Sequence, residues 1–142
     1  MDARELIKEL GLRLGIALEL SDENTCQVIF DKDEVDFEVM DGFLWAFADL
    51  GYTQHRADAY KAMLAGNLFG LKSGKATLAL DEERDMFTLQ MELWGGVPYE
   101  VFEARLTQFV EAVRWWKDWL NQPVEFDPAA DEPAGYMDMI RV

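Results

Sequence analysis

The chain has one histidine, His55, and one cysteine, Cys26. An imidazole would serve as a general base and a thiolate as a nucleophile, and each needs a neighbour that activates it. His55 lies in the polar stretch Thr53-Gln54-His55-Arg56, which reads as a solvated loop or a local cap. Cys26 alternates with Val28 and Phe30, so it reads as a small buried hydrophobe. No Ser-His-Asp or Cys-His set can be assembled from the sequence, and there is no G-x-S-x-G elbow. The segment Asp31-Lys32-Asp33-Glu34-Val35-Asp36 resembles the start of a calcium loop. It fails at Val35, where an oxygen ligand is needed, and at Asp36, where the turn needs glycine. One Cys and one His do not make a zinc site, and Gly66 to Gly74 has neither P-loop nor Rossmann spacing. Glu82 and Glu83 read as solvated turn carboxylates. No catalytic residue, metal or cofactor is expected, and the chain reads as a binding protein and not an enzyme.

Composition narrows the partners. The 142 residues include 13 Lys and Arg against 28 Asp and Glu, a net charge of -15. A field of that sign repels nucleic acid and anionic membranes, and it fits equally a well-solvated surface and one that steers basic segments of a protein partner. Half the residues are hydrophobic and 29% are charged, the balance of one globular domain. No apolar run approaches the roughly 18 residues of a membrane span, and Met1-Asp2-Ala3-Arg4-Glu5 lacks the features of a signal peptide. With a lone cysteine, these features lead us to expect a reducing cytoplasm and no membrane insertion.

The elements follow from periodicity. Asp2 and Glu5 form a capping-box pattern ahead of Leu6, Ile7, Leu10 and Leu14, a helix expected to stop between Gly11 and Gly15. Cys26, Val28, Phe30 and then Val35, Phe37, Val39 alternate as two strands, joined by a hairpin over Asp31 to Glu34. Asp41-Gly42 predicts a type I′ turn into a third strand, Phe43 to Ala48, apolar on both sides and so expected to be covered on both. A second helix is expected over Arg56 to Phe69. Tyr60, Leu64 and Leu68 form one stripe of it, and Ala59, Ala62 and Gly66 form a stripe of small residues beside Met63. The small stripe fits equally tight packing on the chain's own sheet and a subunit contact.

Two further strands, Ala76 to Leu80 and Phe87 to Leu93, flank the charged turn Asp81 to Asp85. Pro98 then starts a long helix with Phe102, Leu106, Phe109, Val113, Trp116 and Leu120 on one face. The order α-β-β-β-α-β-β-α predicts a single α+β domain over residues 1–121, an antiparallel twisted sheet packed by helices. Residues 122–142 read as an acidic, proline-containing tail whose last residues dock locally. Five Trp, nine Phe and seven Met exceed what these stripes use. Trp115 and Trp119 flank the last helix's face, while Met86 and Trp94 fall opposite the apolar side of the fifth strand. Surplus of this kind marks an interaction surface, or one that a partner subunit or the C-terminal tail covers.

The stretches Met63-Leu64-Ala65-Gly66-Asn67-Leu68-Phe69-Gly70 and Gly74-Lys75-Ala76-Thr77-Leu78-Ala79-Leu80-Asp81-Glu82 resemble the class I type III secretion chaperones, the Tir-chaperone family. Phe87-Thr88-Leu89-Gln90 and the aromatic segment Trp115 to Leu120 continue the resemblance. It implies a small bacterial cytoplasmic chaperone that holds the N-terminal segment of a secreted effector unfolded, without ATP, and hands it to the export apparatus. Some relatives bind regulators, so a regulatory adaptor is the alternative, and an enzyme on this scaffold a further one. The resemblance also implies a homodimer built partly on the second helix, placing Ala59, Ala62, Met63, Gly66 and Phe69 at the contact. The apolar surface for the effector is expected from Leu6 and Leu10, from Phe30, Phe37 and Trp45 on the first three strands, and from Met86 and Trp94.

Overall fold

The computed structural model describes residues 1–123; the tail expected beyond them lies outside the described residues, apart from Gln122 and Pro123. Three helices, α1 (Ala3–Leu14), α2 (Ala59–Asn67) and α3 (Tyr99–Asn121), accompany strands β1 (Thr25–Phe30), β2 (Asp33–Val39), β3 (Phe43–Tyr52), β4 (Thr77–Asp81) and β5 (Met86–Trp94). The strands form one antiparallel sheet in the order β1-β2-β3-β5-β4. The expected element order and α+β class are therefore observed.

Local chemistry explains the boundaries. Asp2 Oδ1 accepts from the Glu5 amide at 2.9 Å and Glu5 Oε2 accepts from the Asp2 amide at 2.8 Å, closing the capping box of α1. The helix ends at Gly15, whose φ of 68° suits glycine. Gly11 has another role: a Cβ there would lie 2.8 Å from Leu18 Cβ, so the returning chain packs on it. Helix α2 starts later than Arg56, because both oxygens of the Asp58 carboxylate accept from Arg56 at 3.0 Å instead of capping the helix. Only Gly42 of the Asp41-Gly42 pair has positive φ, so the turn is not type I′, which needs both residues left-handed.

All three helices pack into one core on one sheet face. Val28, Val35, Phe37, Leu44, Ala46, Leu89 and Leu93 point into it and meet Leu6, Ile7 and Leu10 of α1 and Phe102, Leu106, Phe109, Val113 and Trp116 of α3. Trp116 is 2% exposed and donates its indole N–H to the Lys72 carbonyl at 2.8 Å.

The expected Asp31–Glu34 turn is shorter than the sequence suggests. Asp31 takes φ 60°, and Asp33 already belongs to β2 and is fully buried. Its carboxylate accepts from Arg114 Nε at 2.8 Å and from Lys117 Nζ at 3.0 Å, tying the first hairpin to α3. Burial alone would raise the Asp33 pKa, but Arg114 and Lys117 outweigh it and hold the carboxyl below its usual range. A depressed folded pKa stabilises above the unfolded value of about 4 and loses that contribution as pH falls through the folded value. Asp33→Asn should therefore cost about 3 kcal/mol in urea unfolding at pH 7. It should also flatten the acid limb of the stability-against-pH curve relative to the wild type.

Candidate binding surface

The strand register divides the sheet's side chains. Cys26, Phe37, Ala46 and Met91 share one row on the core face, while Gln27, Asp36, Phe47, Gln90 and Thr77 share a row on the opposite face. The next outer row runs Thr25, Glu38, Trp45, Glu92, and Phe43 pairs with Trp94 beyond it. No described element covers this outer face. Among the described residues the expected cover on the second side of β3 is not found: Phe43, Trp45 and Phe47 are half-buried, and Trp94 is 51% exposed.

These aromatics shield one another. Phe43 meets the Trp45 ring edge-on at 5.6 Å and the Trp94 ring at 4.9 Å. Thr25, Gln27, Glu38, Trp45, Phe47 and Gln90 line a groove of about 600 Å³ across β1, β2, β3 and β5. At its far end Arg84 is laid across the face. It donates to both oxygens of Asp49 at 2.9 and 2.8 Å and to Asp81 at 2.7 Å, with its guanidinium 5.8 Å from the Phe47 ring centroid.

The expected site residues separate into two groups. Leu6, Leu10, Phe37 and Met86 are buried in the chain's own fold, so they offer no surface to a partner. In each case the helix stripe or strand parity that made them apolar also turns them inward or under neighbours. Phe30 is half-buried in a second groove of about 510 Å³ between α1 and α3, beside Leu14, Tyr99 and Leu106. Trp45 and Trp94 lie together on the outer face.

The proposed dimer stripe divides similarly. Ala59, Met63 and Gly66 are buried in the subunit, and a Cβ at Gly66 would lie 2.7 Å from Trp116 and 3.2 Å from Leu78. Tight packing on the chain's own sheet accounts for them. Ala62 is half-buried, and Phe69, at a kink with φ 54°, is 75% exposed. The outward face of α2 carries Tyr60 and Leu64, the latter 74% exposed. Tyr60 packs edge-on against Phe87 at 5.3 Å, and Phe87 pairs with the exposed Leu80 of the edge strand β4. This apolar border was not apparent from the small-residue stripe; the Tyr60–Leu64 spacing was its available signal.

Among the described residues no group of three or more His, Cys, Asp or Glu side chains is placed to hold a metal ion. His55 is an exposed loop residue with φ 62°. No helix of the described residues is long and apolar enough to cross a membrane.

The model of the Tir chaperone protein (CesT) family matches residues 5–117. No curated protein matches the chain in sequence. Its fold is similar to a chain of the HopA1-SchA chaperone-effector complex, with a TM-score of 0.68 at 19% identity over 81% of this chain and 92% of that one. It is also similar to a chain in the complex of the Yersinia pestis type III secretion chaperone SycH with a stable fragment of YscM2. There the TM-score is 0.62 at 25% identity, over 79% and 97% of the two chains. A chain of the heterodimeric ExoU-SpcU complex from the type III secretion system of Pseudomonas aeruginosa gives 0.63 at 20% identity, over 80% and 93%.

Cys26 borders the outer groove and is half-buried. Burial, and secondarily the Asp36 carboxylate, push its thiol up to about 11. The thiolate that alkylating reagents attack is then scarce at neutral pH. Iodoacetamide at pH 8 should modify folded Cys26 about a hundredfold more slowly than the urea-unfolded chain, as followed by mass spectrometry.

Proposed function

The chain belongs to the Tir chaperone protein (CesT) family, and on that premise we propose that it is a type III secretion chaperone for the N-terminal segment of a secreted effector. One observation carries this reading most directly. Among the described residues the sheet is packed by helices on one face only, and its other face presents Phe43, Trp45, Phe47 and Trp94 around an open groove. A segment held there stays extended, because a pleated surface with grooves at alternate positions fits a strand and not a folded domain. Among the described residues β1, with Ile29 59% exposed, is an edge strand, which offers backbone groups for the same segment. Holding an unfolded segment needs no group transfer, which fits a chaperone without ATP or catalysis, working in the bacterial cytoplasm.

The second part of the proposal is a homodimer through the α2–β4 border. Leu64, Phe69 and Leu80 are large, exposed and apolar. Covering them with a second copy removes that area from water and puts the two outer faces within reach of one effector segment.

Two measurements test the reading. Affinity capture from the native host should recover a secreted protein, and deleting that protein's N-terminal region should abolish capture. Recovery only of a regulator that is not secreted would favour the adaptor alternative. Light scattering should give about twice the 16.3 kDa chain mass. The exposed-site variant Leu64→Asp with Phe69→Asp should give the monomer mass while keeping the wild-type circular dichroism spectrum.

A further inference from the structure

The acidic residues of the outer face are not evenly placed. Glu34, Asp36 and Glu38 alternate outward along β2, with Asp49 on β3 and Glu92 on β5. Trp45 has Glu38 directly beside it on one strand and Glu92 on the other, both exposed. Two residues along β3, the neighbouring aromatic Phe47 has a cation near its ring. Arg84 lies over it, pinned by the carboxylates of Asp49 and Asp81. The Trp45 row has the same ingredients, an aromatic face and flanking carboxylates, without the cation. Among the described residues neither Glu38 nor Glu92 makes an ion pair. Lys75 borders the adjoining groove with Trp45 and Glu92 and pairs with neither.

We propose that the Trp45 row seats the arginine or lysine side chain of the bound polypeptide segment, its cation over the indole and between Glu38 and Glu92. The inference rests on reading the outer face as the client surface and adds what that surface selects. Trp is the strongest cation–π partner among the side chains. A carboxylate on each flanking strand supplies charge-assisted hydrogen bonds without bringing like charges into direct contact. The chain has 28 acidic and 13 basic residues, so cations for these carboxylates are most readily supplied by a partner. An extended client puts alternate side chains on the same side. A basic residue over Trp45 thus directs its next-but-one neighbours at the apolar parts of the groove beside Phe47 and Phe43.

The test uses the full chain and two probes, acetyl-Val-Leu-Arg-Leu-Val-amide and the same peptide with neutral citrulline in place of arginine. Binding is followed by NMR shifts of the Trp45 indole N–H, assigned through Trp45→Phe, and of the β2, β3 and β5 amides. The arginine peptide should bind about tenfold more tightly than the citrulline peptide. Glu38→Gln with Glu92→Gln, both at exposed positions, should erase that difference, bringing the two peptides to the same affinity, while the melting temperature is unchanged. Equal binding of the two peptides to the wild type would overturn the cation seat and leave the apolar client surface standing. A difference that survives the double variant would overturn it too. If neither peptide shifts these resonances, both the cation seat and the outer face as client surface fall.

Discussion

Trp116 sits where the three parts of the molecule that could separate are joined. Its ring is fully buried against the backbone of Gly66 in α2 and near Leu78 of β4, and its N–H is taken up by the Lys72 carbonyl in the loop between those elements. Indole area supplies the packing and the single polar atom finds a partner, so nothing buried is left unsatisfied. The neighbouring Trp115 and Trp119 rings meet it edge-on at 4.8 and 5.5 Å. Because α2 can approach only as closely as a residue without Cβ allows, Gly66 and Trp116 together set the distance of that helix from α3. The same contact decides which side of α2 faces out, and hence which apolar residues remain available to a partner.

A second constraint is the scarcity of positive charge. With 13 cations against 28 anions, several arginines act as braces between elements far apart in sequence. Arg56 donates to the Leu120 carbonyl at the end of α3 and stacks on Trp119 at 4.8 Å while holding Asp58. Arg114 reaches Asp33, Asp31 and the Phe30 carbonyl, locking the first hairpin down. Arg84 clips β3 to the end of β4. Arg114 and Arg84 each take up two carboxylates and Arg56 one. Glu34, Asp36 and Glu38 on the outer face of β2 have no such brace, so their negative charge borders the face that no described element covers.

Element order, strand parity and the long face of α3 were legible in the sequence, because periods of 2.0 and 3.6 residues are local properties. Phe43, Trp45 and Phe47 already sat on the opposite parity from Leu44, Ala46 and Ala48. What parity cannot tell is whether a second layer covers the other side, since that depends on where the helices pack. Asp33 was unreadable for the same reason: its partners Arg114 and Lys117 are 81 and 84 residues away, and an acidic turn looks solvated until they arrive. The two stripes of α2 were ambiguous because both are apolar. Trp116 resolves them by filling the space that any larger residue than Gly66 would need. Leu6, Leu10 and Phe37 were assigned to the partner surface from their apolar character, which core and interface share.

An aromatic face that no described element covers carries a risk, since flat apolar surface on a sheet promotes self-association. The fold limits that risk while keeping the face open. Phe43 packs edge-on against Trp45 and at a tilt against Trp94, so part of their apolar area is covered by one another and not by water. The exposed carboxylates Glu34, Asp36 and Glu38 run along the adjoining strand, and two copies meeting face to face would oppose like charges there. A partner segment bearing positive charge meets no such barrier. The arrangement that disfavours indiscriminate association of this face is therefore also what gives it a preference, and solubility and selectivity have the same electrostatic origin.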